Sequence, residues 1–222
     1  MEQTPMHERH NPDLLKLIPI QSKKIIEVGC SSGALAREFK KISSDCYWVG
    51  IEIDSMYAEM AKRHCDESIV LNIENAPESF WQETKNADCW LFGDTLEHLK
   101  DPWAIIKLIR ANISKIGTVV ACIPNAQHWS LQAKLSAGDF RYEVSGLLDR
   151  THLRWFTRQT IIEMFEQSGF QIEAAIPRIF NEPNREVFLP IIEQMAKAAG
   201  VDPQIAVTDS LPLQYVVRAA PK

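Results

Sequence analysis

Lys24–Gly33, KIIEVGCSSG, joins a short β-rich apolar run to a loop bracketed by two glycines, and Ala34–Ile42 (ALAREFKKI) beyond it has helical spacing. The segment therefore reads as strand, tight loop, helix. The same alternation continues outward. Tyr47–Ile53 (YWVGIEI) is a second β-rich run, and Ser55 is placed to cap the helix MYAEMAKRHC. Ser68–Leu71 forms a third strand and Ala87–Phe92 (ADCWLF) a fourth. Asp101-Pro102 then opens the helix WAIIKLIRANIS with proline in its first turn, and Gly117–Ile123 (GTVVACI) is the fifth strand. In the last third, Asn125–Arg154 reads as a long aromatic and polar connection. A helix over Thr157–Ser168, a strand over Gln171–Ile176, a helix over Glu186–Ala199 and a strand over Gln214–Ala219 follow it.

Strands alternating with helices predict an α/β fold: a mainly parallel, seven-stranded sheet covered by helices on both faces, with ligands gathered at the carboxyl ends of the strands. The 222 residues suit one domain over 1–222, with residues 125–155 as a substrate lid inserted after the fifth strand. Hydrophobic residues make up 45% and charged residues 24%, which excludes a disordered or fibrous chain. A net charge of -5 lacks the basic face that nucleic acid demands. No apolar run reaches bilayer length, and the polar start MEQTPMHERHNPDLL has no signal-peptide core, so a cytoplasmic protein without a membrane span is expected. Cys30, Cys46, Cys65, Cys89 and Cys122 are scattered singly and read as reduced core thiols. His7 and His10 lie in the polar terminus and are given no role.

The first loop lets backbone approach a ligand closely, beside the unpaired N–H groups of a helix start. A dinucleotide loop reads G-x-G-x-x-G, a spacing this loop lacks, so NAD is disfavoured. At the end of the second strand Glu52 can accept both hydrogen bonds of a ribose diol, while neighbouring Asp54 reads as a helix cap. Glu27-Val28-Gly29-Cys30-Ser31-Ser32-Gly33 resembles the first motif of class I S-adenosylmethionine-dependent methyltransferases, E/D-x-G-x-G/S-x-G, with Ser31 where glycine is commoner. Phe92–Leu99 (FGDTLEHL) resembles the D-x-L-E-H-L segment of a large group of these enzymes. The resemblance implies a Rossmann-like three-layer fold and S-adenosylmethionine as cofactor. It implies cofactor contacts from Glu27, Gly29, Cys30, Ser31, Gly33, Glu52, Ile53, Asn72, Ile73, Gly93, Asp94 and Thr95. Asn72 stands where an acidic residue usually meets the adenine amino group, and its side-chain oxygen still offers an acceptor.

Gly146–Thr157 (GLLDRTHLRWFT) resembles a motif of bacterial methyltransferases linked to cell-surface polysaccharide synthesis. Methyl transfer to a hydroxyl needs an oriented acceptor, excluded water and a group to take one proton. His152 is the first candidate base and His98 the second; the opposing reading has Asp149, His152 and Arg154 as a buried network that fixes the lid. Trp129, Tyr142, Arg150 and Arg154 are candidate acceptor contacts, the arginines suiting an anionic group. Arg158, by contrast, reads as a solvated helix residue. The spacing of Asp94, Glu97 and His98 resembles a metal-binding segment of ubiquinone-pathway O-methyltransferases, but no fourth ligand is evident and the site is read as metal-free. The expected function is O-methylation of a small glycan or a related metabolite, sugar or anionic, by a monomer or homodimer. N-methylation, or a protein or RNA acceptor, is the first alternative, weakened by the missing N/D-P-P-Y/F/W tetrapeptide. A non-catalytic cofactor-binding regulator is the second.

Overall fold

The computed structural model describes residues 8–222. His7 therefore lies outside the described residues. Seven strands, β1 (Lys24–Val28), β2 (Tyr47–Glu52), β3 (Glu67–Val70), β4 (Cys89–Gly93), β5 (Thr118–Pro124), β6 (Phe170–Arg178) and β7 (Gln214–Pro221), form one sheet in the order β3-β2-β1-β4-β5-β7-β6. The first five pair in parallel, and β7 runs antiparallel between β5 and β6. The order reverses between β1 and β4, where an open parallel sheet leaves a crevice beyond the carboxyl ends of its strands.

Period-two alternation divides the core between two faces of this sheet. Ile26, Val28, Trp90, Phe92, Val119 and Ala121 point to one face, packed with Ile105, Ile106 and Ile109 of α5 (Pro102–Asn112) and Ile161 and Phe165 of α7 (Arg158–Gln167). Ile25, Trp48, Cys89, Leu91, Val120 and Cys122 point to the other, with Leu14 and Leu17 of α1 (Pro12–Leu17) and Leu35 and Phe39 of α2 (Ala34–Lys40). Every cysteine is a buried thiol, as expected. No helix among the described residues is long and apolar enough to cross a membrane.

Several expected details are settled or shifted. Of the two expected caps of α3 (Ser55–Ala61), Asp54 is the one used, its carboxylate accepting from the amides of Met56 and Tyr57. The connection after β5 is not irregular throughout: α6 (Trp129–Ser136) forms inside it behind His128, whose ring accepts from the Ser130 amide. Two further helices without strong periodicity, α4 (Glu78–Glu83) and α9 (Pro203–Ser210), accompany α8 (Arg185–Ala198). Arg158 is not simply solvated; its Nε donates to both carboxylate oxygens of Asp209 at 2.8 and 2.9 Å, tying α7 to α9.

Candidate active site

The loop after β1 is built from left-handed backbone: φ is +74° at Gly29, +47° at Ser31 and +77° at Gly33. Such angles cost little for glycine but are uncommon for serine, and strain of this kind collects where a loop is held for a ligand. A Cβ at Gly29 would stand 2.7 Å from Thr95 Oγ1, so position 29 admits no side chain. The loop is pinned to β2, with the amides of Gly29 and Cys30 donating to the Ile51 carbonyl at 2.8 and 3.1 Å. Glu52 completes the tie. Its Oε2 accepts from the Ser31 amide at 2.9 Å and its Oε1 from the amides of Ile53 and Asp54 at 2.8 and 3.1 Å. An ionised carboxylate offers about four acceptor positions, so this one keeps capacity for a ligand hydroxyl.

Other members of the expected set face elsewhere. Glu27 is buried and accepts from Trp48 Nε1 at 3.0 Å. Burial, with Cys65 and Glu52 nearby, holds its carboxyl well above the usual range. Cys30 turns its thiol into the core, leaving only its backbone for the loop. Asn72 Oδ1 accepts from the Glu74 amide at 3.0 Å, so the side chain works first as the cap of a short 3₁₀ turn, Ile73–Asn75. The Thr95 hydroxyl donates to the Val28 carbonyl at 3.0 Å and thereby braces the glycine loop from β4.

All of these residues but one line a single cleft of about 870 Å³ at the carboxyl ends of β1, β2 and β4, together with Tyr57, Gly93, Asp94, Glu97 and His98. Gly33, the exception, sits behind the loop as the left-handed residue before α2. The segment 145–153 borders the cleft on the side of β4 and β5. It is anchored there because the Glu97 carbonyl accepts from the amides of Leu153 and Arg154 at 2.8 and 3.0 Å. His10, Asn11 and Leu14 at one end of the chain and Leu213 and Gln214 at the other also line it, and Gln214 Nε2 donates to Asp94 Oδ1. Local sequence carried no sign of these five, since they arrive through α1 and through the insertion of β7 between β5 and β6.

On the Gly93 side of the cleft, Glu97, His98 and His152 converge, each offering one donor atom within 4.8 Å of the others. Glu97 is 1% exposed and neither carboxylate oxygen has a hydrogen-bond partner among the described residues. Burial, then the charges of Asp94 and Asp149, push its carboxyl well up. His152 does not stand free over the cleft as a lone base would. Its Nδ1 lies 3.3 Å from the Leu147 carbonyl and its Nε2 faces Glu97 Oε1 at 3.9 Å, and burial, then His98, lowers its pKa. The His98 ring meets it edge-on at 4.8 Å, with Nδ1 3.1 Å from the Thr151 carbonyl. The Thr151 hydroxyl donates to Asp149 at 2.6 Å and its oxygen lies 3.1 Å from His98 Nδ1, so the side-chain network at Asp149 runs through Thr151 to His98, where His152 and Arg154 were the expected members.

Of the four residues expected to meet the acceptor, Arg150 alone lines the cleft. Trp129 is corrected to a packing role: on α6 it stacks on Phe188 at 5.5 Å and donates to Glu182 at 2.9 Å. Tyr142 is exposed against Phe140, and Arg154 is spent on the carbonyls of Leu153 and Lys100. Helical packing and backbone capping took these residues, as they commonly do.

Residues 6–175 match the family model described as a methyltransferase domain, and the chain belongs to that family. A ubiquinone biosynthesis O-methyltransferase from Acinetobacter baylyi is 28% identical over 104 residues, a stretch covering 45% of this chain and 43% of that protein. The chain thus matches under half the length of this curated relative. A Thermotoga maritima structure described as a SAM-dependent methyltransferase, possible histamine N-methyltransferase, superposes with TM-score 0.62 at 14% identity, covering 95% of this chain and 86% of that one. The magnesium protoporphyrin IX methyltransferase of Synechocystis with bound SAH gives 0.60 at 10% identity, covering 95% and 80%. The chain is thus a member of the methyltransferase-domain family, and its fold is that of solved S-adenosylmethionine-dependent methyltransferases.

Proposed function

We propose that the chain transfers a methyl group to a hydroxyl of a small, oxygen-rich acceptor such as a glycan or a related metabolite. The observation that carries this reading is the lining of the cleft beside Gly93. Asp94, Glu97, Asp149, His98 and His152 gather there with Arg150, and the one Phe, Trp or Tyr among the described lining residues, Tyr57, belongs to α3 beyond the Glu52 end of β2. Carboxylates and imidazoles accept hydrogen bonds from several hydroxyls at once, whereas a flat aromatic acceptor is held by ring stacking. The nearest aromatic candidates, Trp129 and Tyr142, are absent from the cleft.

The cofactor assignments follow the strand ends. Glu52 accepts from the ribose diol, Ile53 and Ile73 flank the base beside Asn72, and the backbone of Gly29, Ser31 and Gly93 borders the methionine part. Bound S-adenosylmethionine supplies an electrophilic methyl on its sulfonium. The chain then holds the acceptor hydroxyl in line with that methyl, worth several orders of magnitude when well oriented. It receives the hydroxyl on the trio Glu97, His98 and His152 rather than on one free base, while Arg150 holds an anionic portion of the acceptor. The stretch Gly146–Thr157, which resembles the polysaccharide-linked motif, contributes seven cleft residues, among them Asp149, Arg150, Thr151 and His152. A methyl-release assay with matched panels of sugar alcohols, sugar acids, catechols and amines tests the reading. Turnover confined to the sugar derivatives is expected; turnover of amines or catechols alone overturns it.

A further inference from the structure

We infer that Glu97, His98 and His152 together form a binding site for one divalent transition-metal ion at the acceptor end of the cleft. The set comes from three-dimensional convergence, not from spacing along the chain. His152 reaches the site from the segment after β5, and Asp94, the nearer acid in sequence, is instead bonded to Gln214.

Three observations point to a cation. The Glu97 carboxylate is buried with no hydrogen-bond partner for either oxygen among the described residues, an arrangement that proteins ordinarily avoid unless the group is neutralised or ligated. Two imidazoles are presented to it, and each directs its Nδ1 to a backbone carbonyl, His152 to Leu147 at 3.3 Å and His98 to Thr151 at 3.1 Å. A carbonyl accepts, so each Nδ1 carries the proton and each Nε2 keeps its lone pair; this is the outer arrangement that fixes metal-binding histidines. The Thr151 hydroxyl, bonded to Asp149, extends it by one more step. Asp94 and Asp149 add negative potential at Glu97 that a divalent ion would offset.

Two nitrogens and one carboxylate with open positions suit zinc, iron, cobalt or manganese better than the all-oxygen shells preferred by calcium and magnesium. Donors bound at about 2.1 Å in tetrahedral geometry stand about 3.4 Å apart. The trio, within 4.8 Å in this structure, therefore closes by roughly an ångström or a little more. An ion there would face the acceptor and favour oxygen-rich molecules, a consequence that rests on the acceptor reading above; the site itself does not.

The test uses the full chain without a histidine tag, stripped with a chelator, dialysed and titrated with Co(II) alone. One equivalent should bind with visible d–d absorption, and Zn(II) should abolish the bands by displacement. Glu97→Gln, His98→Gln and His152→Gln should each weaken cobalt binding by about 10-fold or more, the scale on which even supporting residues act at metal sites. Thermal denaturation of each variant checks that it is folded; His98→Gln, at the half-buried ring, disturbs packing least. No uptake of Co(II) or Zn(II) by the wild type at millimolar concentration overturns the inference. So does equal cobalt affinity in the wild type and any folded variant of the three. The titration contains no acceptor, so a wrong acceptor assignment leaves its outcome unchanged.

Discussion

Replacing Glu52 by glutamine tests how the cofactor loop is held. The carboxylate accepts from three backbone amides, Ser31 through Oε2 and Ile53 and Asp54 through Oε1. A glutamine oxygen can keep the two amides of the β2 end, but its NH2 group then faces the Ser31 N–H, donor against donor. One hydrogen bond to a charged acceptor is lost, about 1.5 to 3 kcal/mol. That loss is divided between the free protein and its complex. In the free protein, a chain of this size should melt lower by roughly 2 to 4 °C per kcal/mol lost. S-adenosylhomocysteine should bind about 10- to 100-fold more weakly, because loop and ribose share the same group. Glu52→Ala, which strands all three amides, should lower melting further, so this position is more than a ligand contact. Calorimetric titration and thermal denaturation read both quantities. Wild-type affinity together with a wild-type melting temperature in Glu52→Gln would refute the reasoning.

Gly29→Ala places a side chain at φ +74° and 2.7 Å from Thr95 Oγ1; the left-handed angle alone costs about 1 to 2 kcal/mol, and differential scanning calorimetry should show a lower melting temperature with weakened cofactor binding, an unchanged value counting against the loop geometry. Glu27 has its folded-state pKa raised by burial, so its ionisation favours the unfolded chain, and stability falls as pH rises from the unfolded value of about 4.3. Glu27→Gln should therefore gain stability relative to wild type as pH increases, read as a melting-temperature difference larger at pH 8 than at pH 5; a difference independent of pH would contradict the assignment. Arg150→Ala should raise the apparent KM for an anionic acceptor about tenfold while leaving S-adenosylhomocysteine affinity unchanged, and equal KM values would remove the arginine from the acceptor site.

What the sequence made legible was local. The run KIIEV with its loop and the alternation through Ile123 are each readable within about ten residues, and the sheet bears out the seven strands; the tie of Glu52 to the Ser31 amide was not foreseen. Helices such as α4, α6 and α9 escaped because their formation depends on what they pack against. The Trp129 error has the same origin: an aromatic residue in a polar connection reads as a binding surface until α6 folds and buries it against Phe188. The gathering of Glu97, His98 and His152 was half legible, since all three were noticed, but only the Glu97 carbonyl accepting from Leu153 and Arg154 makes them neighbours. Residues 10, 11, 14, 213 and 214 were invisible because sheet order, not spacing, brings them to the cleft.

The central claim is that the cleft bounded by Gly29, Glu52 and Gly93 is built for an S-adenosyl ligand. Isothermal titration of the full chain with S-adenosylhomocysteine and, separately, with NAD tests it most directly. One equivalent of S-adenosylhomocysteine should bind, with affinity lost on Glu52→Gln, and NAD should give no heat. Binding of neither ligand at millimolar concentration, or a preference for NAD, would contradict it.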